Sequence, residues 1–110
     1  MVDLDHFRTL ALSLPGAEEK LHFEKPSFRY KDKIFATYHA NDNRAMLKLS
    51  PIEQSVYVSY NSAIFFAVPG AWGAKGYTLV VLSKVRKDIF EEALRAAYSG
   101  VVNKPQKKSK

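Results

Sequence analysis

Apolar positions near the start of the chain recur three and four apart: Leu4, Phe7, Leu10, Ala11 and Leu14. That spacing predicts a helix with one apolar face. Asp3 is its expected N-cap, and Pro15-Gly16 its expected stop. Ala17 to Lys20 reads as a short turn. The period then changes to two. Phe28 and Tyr30 alternate with Arg29 across 27–31, and Ile34, Ala36 and Tyr38 alternate with Phe35, Thr37 and His39. Ala45, Leu47 and Leu49 alternate with Met46 and Lys48. Polar Lys31-Asp32-Lys33 and Asn41-Asp42-Asn43-Arg44 separate these runs as turns. Three strands in an antiparallel meander are predicted.

Ser50-Pro51-Ile52-Glu53 then signals a second helix. Serine caps, proline suits the first helical position, and the glutamate completes a capping box. Val56, Tyr57, Val58 and Tyr60 favour a strand instead, so local propensity and capping signal disagree from 55 to 62. Asn61 to Gly76 reads as loop-rich. Tyr77 to Leu82 is a β-branched strand. Ser83 is the expected cap of a final helix, in which Val85, Ile89, Ala93 and Ala97 line one face, Phe90, Leu94 and Val101 widen it, and Gly100 is a stop. The predicted fold class is a two-layer α+β sandwich, an antiparallel sheet with the N- and C-terminal helices on one face. Its other face is expected to be partly open to solvent.

The chain has 110 residues, enough for one domain over 1–103. Its 46% hydrophobic and 25% charged content excludes a disordered or fibrous chain. Without cysteine there are no disulfides and no thiolate metal sites. The longest nearly apolar stretch, Ala63 to Trp72, is broken by Pro69 and Gly70, far short of the roughly 20 residues of a membrane span. The acidic start Met1-Val2-Asp3-Leu4-Asp5 has no apolar signal region, so a cytoplasmic protein is expected. The net charge is +6, but Lys104, Lys107, Lys108 and Lys110 supply four of those charges. The segment 104–110 has no large apolar side chain and reads as a disordered basic tail. Without it the body holds 13 basic and 11 acidic side chains, or +2.

No phosphate-binding P-loop, zinc-protease or hydrolase-elbow motif is present. His6, His22 and His39 show no ligand spacing, so no metal or cofactor is expected. Glu18-Glu19 before Lys20 reads as a solvated turn, and no nucleophile is matched to a base, so an enzyme is not expected. Gly70-Ala71-Trp72-Gly73-Ala74-Lys75-Gly76 contains the G-x-x-G of KH clamp loops. Those loops join helices, whereas this one leads into a strand. A tight glycine connection with Trp72 packed over the sheet edge fits better, with a pocket wall as a second role for Trp72. Lys25, Arg29, Lys31 and Lys33 gather around the first hairpin, with Arg44 and Lys48 beyond. Alternation puts Arg29 and Lys48 on the open face near Phe35, where cations and an aromatic ring could hold phosphate and stack a base. Simple solvation of that face is the plainer alternative.

Five segments resemble the MmcQ/YjbR family in order and spacing. They are Leu14 to Glu19, His22 to Arg29, Lys33 to Ala36, Leu47 to Pro51 with Glu53-Gln54, and Trp72-Gly73-Ala74-Lys75-Gly76-Tyr77. The resemblance runs from the first helix to about Tyr98. It implies a CyaY-like (frataxin-like) α+β fold and DNA binding through a double wing. The wings would be the hairpins around 31–33 and 41–44, and the contacts Lys25, Arg29, Lys31, Lys33, Arg44, Lys48 and Lys75. An iron-carrying role is set aside, because the acids are scattered over a net-positive body. Three readings stand: a non-enzymatic DNA-binding protein, a protein-interaction module, and a small-molecule site. The module would use the open sheet face or the loop Phe65, Phe66 to Trp72, and burial of all three aromatics would sink the loop version. The small-molecule site would be lined by Trp72, Lys48 and His22.

Overall fold

A computed structural model describes residues 2–103; the predicted tail at 104–110 lies outside the described residues. The elements run α1 (Leu4–Leu12), β1 (Ala17–His22), β2 (Lys25–Tyr30), β3 (Lys33–His39), β4 (Arg44–Lys48), α2 (Pro51–Tyr60), β5 (Phe65–Ala67), α3 (Ala71–Ala74), β6 (Tyr77–Val81) and α4 (Lys87–Val102). The strands form one open antiparallel sheet in the order β1-β2-β3-β4-β6-β5. Helices α1 and α4 cover one face, as their apolar stripes require. The ring of Phe7 on α1 lies 4.9 Å from Phe28 on β2 and 5.1 Å from Phe90 on α4. Phe35 on β3 meets Tyr98 on α4 at 5.5 Å. All four phenylalanines are fully buried.

Several local signals act as the sequence predicts. Asp3 caps α1 by accepting from the His6 amide at 2.8 Å. Ser50 and Glu53 form both halves of the capping box, at 3.1 and 2.9 Å. With those donors satisfied, α2 runs to Tyr60 in spite of its β-branched content. It needs only one buried anchor, Tyr57, which packs on Phe65 and donates to Glu92 of α4 at 2.8 Å. Burial and that carboxylate push the Tyr57 hydroxyl well above the ordinary phenol range.

Other expectations are corrected. Ala17 to Lys20 is no turn but most of β1, paired in register with β2. Its alternation was hidden because an inward position is Glu19, whose carboxylate accepts two bonds from Arg8 of α1 at 2.8 and 3.1 Å. The 61–76 segment is more ordered than a loop and holds β5 and α3. Ser83 does not cap α4. The chain first turns at Val81, whose carbonyl accepts from Lys84 and Val85. Val85 is buried there, and α4 begins at Lys87 without a side-chain cap. Gly100 does not stop α4, which runs two residues further to Val102 and so buries Val101.

The largest correction concerns β3. Phe28 pairs with Ala36 and Arg29 with Ile34, so Phe35 is one residue extra on β3. This β-bulge turns Phe35 and Ala36 both toward the helices. Phe35 therefore lies in the core and not on the open face, while Ile34 and Thr37 both face outward.

Turns carry visible strain. Phe23-Glu24 and Lys31-Asp32 connect their strands with both residues of each pair at positive φ, between 49° and 68°, as a tight hairpin turn demands. In the Trp72 to Tyr77 segment both glycines are steric necessities. A Cβ on Gly73 would sit 1.9 Å from the Val68 carbonyl oxygen, and one on Gly76 1.9 Å from that of Leu49, with Gly76 at φ +108°. Gly76→Ala is expected to cost on the order of 2–4 kcal/mol by urea denaturation. Glu24→Gly is expected to do the opposite. Relief of the left-handed strain, less the added chain entropy, should stabilise by about 0.5–1 kcal/mol in the same measurement.

Candidate functional site

The face away from the helices is built by alternation from β2, β3, β4 and β6. Ser27, Thr37 and Met46 lie side by side across three strands, and Leu79 continues the row on β6. Cations bracket that row. Lys25 and Arg29 stand two residues either side of Ser27, and Arg44 and Lys48 two either side of Met46. Strand geometry makes this a rectangle of about 13 by 10 Å with Thr37 near its middle. Among the described residues, neither Lys25 nor Arg29 takes part in an ion pair with an acid. Arg29 is instead held against Ser27 Oγ at 3.2 Å. Arg44 lies 3.8 Å from Asp42 and 5.0 Å over the Phe66 ring.

Between these cations a groove of about 320 Å³ opens, lined by His22, Ile34, Thr37, Met46, Val68, Trp72 and Tyr77. Trp72 meets Tyr77 edge-on at 5.2 Å yet stays 58% exposed. Lys75 Nζ lies 5.1 Å from the Trp72 ring. Gln54 steadies this wall by donating to the carbonyls of Gly73 and Tyr77, both at 3.0 Å. Three polar side chains are buried in the sheet: Ser27, Thr37 and Thr78. Ser27 Oγ donates to the Lys20 carbonyl and Thr78 Oγ1 to that of Gly76. Thr37, 2% exposed, has no partner for Oγ1 among the described residues.

The structure thus brings Lys25, Arg29, Arg44, Lys48 and Lys75 to the margins of one face. Lys31 and Lys33 belong to the β2–β3 hairpin at the end of the sheet, where Lys31 leans over the Tyr30 ring at 5.5 Å. The two hairpins expected as wings lie at opposite ends of β3, about 20 Å apart at seven residues of strand. Successive turns of a meander always alternate ends. The hairpins that share an end are Phe23-Glu24 and 40–43, which border a cavity with Lys25 and His39. Of the expected aromatic loop, Phe65 is buried against Tyr57, Phe66 is half-buried under Arg44, and Trp72 is exposed. His22 joins Trp72 in the groove, but Lys48 lines a separate cavity with Glu53 and Lys75. Thr37 was missed as a site residue; simple alternation put it outward, and only the bulge reveals its place among apolar walls. Among the described residues no group of acids and histidines could hold a metal ion, and no helix is long and apolar enough to cross a membrane.

Residues 12–99 match the model of the YjbR family. The crystal structure of Deinococcus radiodurans protein DR2400, described with a DUF419 domain, superposes with a TM-score of 0.81 over 94% of this chain and 81% of that one. At 24% identity, that likeness is one of fold. None of the curated proteins matches.

His39 sits at the Arg44 end of the same face. Burial lowers its pKa below the ordinary 6.5, and Lys25 and then Arg44 add to the effect against the opposing Asp42. A base whose folded pKa is depressed takes up its proton first in the unfolded chain. Stability therefore falls as pH drops below about 6.5 and levels off once pH passes the folded value. His39→Gln removes this contribution. The thermal midpoint of the wild type should fall further between pH 7.5 and 5.5 than that of the variant; equal falls would assign the acid sensitivity elsewhere.

Proposed function

The chain belongs to the YjbR family, and we propose that it is a non-enzymatic DNA-binding protein of the cytoplasm that takes phosphates on its open sheet face. The observation that carries this reading is the segregation of charge between the two layers. Helix α1 with its cap Asp3, helix α4 and the turn before it, together with the Glu19 that Arg8 holds, have five basic and six acidic side chains. The remaining strands, hairpins and short helices of the body have eight basic and five acidic. The positive side is also the side without a helical cover. Phosphate contacts of this kind give affinity without reading sequence, and no helix-turn-helix stands among the described elements.

A protein partner is the second reading. Ile52, Val56 and Tyr60 make an exposed apolar stripe along α2, and Trp72 adds an exposed ring on the groove side. The readings separate on charge. Fluorescence anisotropy of labelled DNA, followed over a range of salt, should give a log–log slope of about 0.9 for each phosphate held on a duplex, or about 0.7 on a single strand. Arg29→Glu and Lys48→Glu should each reduce the slope by about one such step. Replacing Lys104, Lys107, Lys108 and Lys110 with glutamine should leave most of it. A slope that vanishes with the tail lysines and ignores the sheet reversals would refute the sheet-face reading.

A further inference from the structure

We infer that the groove beside Trp72 receives one unstacked base of a single-stranded DNA, with the Thr37 hydroxyl bonding the polar edge of the base. This rests on the DNA-binding reading above and deepens it. Three observations combine. The walls are Ile34, Met46, Val68, Tyr77 and Trp72, an apolar and partly aromatic slot suited to a flat ring. Its volume of about 320 Å³ lies at the small end of the range that takes organic ligands. The third is Thr37. An unpartnered hydroxyl at 2% exposure is costly to the fold, whereas its buried neighbours Ser27 and Thr78 are both satisfied. Valine has nearly the same shape and would remove the cost. A threonine here suits a ligand that brings its own donor or acceptor, and a hydroxyl can answer either.

Charge decides the class of ligand. Lys25 and Arg29 on β2 and Arg44 on β4 flank an uncharged slot, with Lys75 over the ring of its Trp72 wall and Lys48 on the cavity next to it. That is the layout for a ring flanked by phosphates, whereas an aromatic side chain of a partner would arrive without them. A base inside a duplex does not present its edge to such a slot, so the single strand is the form the groove takes.

The chain has one tryptophan, so its fluorescence reports on the groove directly. The full chain is titrated with a thymidine oligomer of about ten nucleotides and, separately, with an abasic deoxyribose-phosphate oligomer of equal length, while anisotropy follows total binding. The thymidine strand should quench Trp72 and bind about tenfold more tightly than the abasic strand, the worth of one good hydrogen bond with stacking. Thr37→Val should erase most of that difference, leave abasic binding unchanged, and raise the thermal midpoint of the free protein. Thr37→Ser should restore the preference. Salt-dependent binding of both strands alike, with Trp72 undisturbed, would overturn the base site and leave phosphate binding standing. Binding of neither strand would remove both. Quenching by an aromatic peptide, but not by the thymidine strand, would assign the groove to a protein partner instead.

Discussion

The extra residue in β3 is the constraint on which both faces of the molecule depend. A regular strand would send Phe35 and Ala36 to opposite sides. The bulge sends both to the helices, so β3 fills the core twice in succession, with Phe35 under Tyr98 and Ala36 level with Phe28 and Leu47. The same extra residue resets the alternation on the other side. Ile34 and Thr37, three apart, then share the outer face and line one groove. Without the bulge either Phe35 would lie on the open face or the register from Thr37 to His39 would reverse. The core and the groove are therefore two consequences of one backbone irregularity.

Charge follows the same division. The helical layer neutralises itself through close pairs, such as Arg8 with Glu19 and Arg95 with Glu91 at 2.9 Å. Exposed pairs of this sort contribute little stability each, but they consume the acids. Six of the eleven carboxylates are on α1 and α4, at the Asp3 cap, or, as Glu19, held by Arg8 of α1. The sheet face keeps its cations with fewer acids near them, and its mild excess is concentrated where no helix lies above it. A net charge of +2 for the whole body conceals this. The separation of the layers, rather than the total, gives the face its character.

Much of the fold was legible in the sequence wherever a single local rule acted alone. Asp3, the Ser50–Glu53 box and the alternation of Ala45, Leu47 and Leu49 each produced the element they predict. Legibility failed where a partner distant in sequence supplied the missing half of the pattern. β1 looked polar because Arg8 satisfies its inward Glu19. Ser83 looked like a cap because nothing local shows that Val85 must be buried first. The 61–76 segment looked irregular because β5 is three residues long and pairs only with β6. For the candidate site, alternation correctly put Arg29 and Lys48 on one face, and the two-residue steps around Ser27 and Met46 were readable. The sides taken by Ile34 and Phe35 were not, since a bulge leaves no local signature in their side chains.

The glycine-rich stretch shows how a structural residue and a functional surface can be one feature. G-x-x-G spacing invited comparison with a phosphate clamp, yet both glycines face carbonyl oxygens of their own chain, at Val68 and Leu49. Their work is to let the backbone lie against its neighbours. That close approach, together with the two bonds from Gln54, fixes the short turn of α3 over the edge of the sheet. Trp72 sits on that turn and is held edge-on to Tyr77 while more than half of it faces solvent. A looser connection would let the indole fold onto apolar surface and close the groove. The motif touches no ligand through its glycines; it keeps a large aromatic ring exposed and in place, and that ring is the wall any flat ligand would meet.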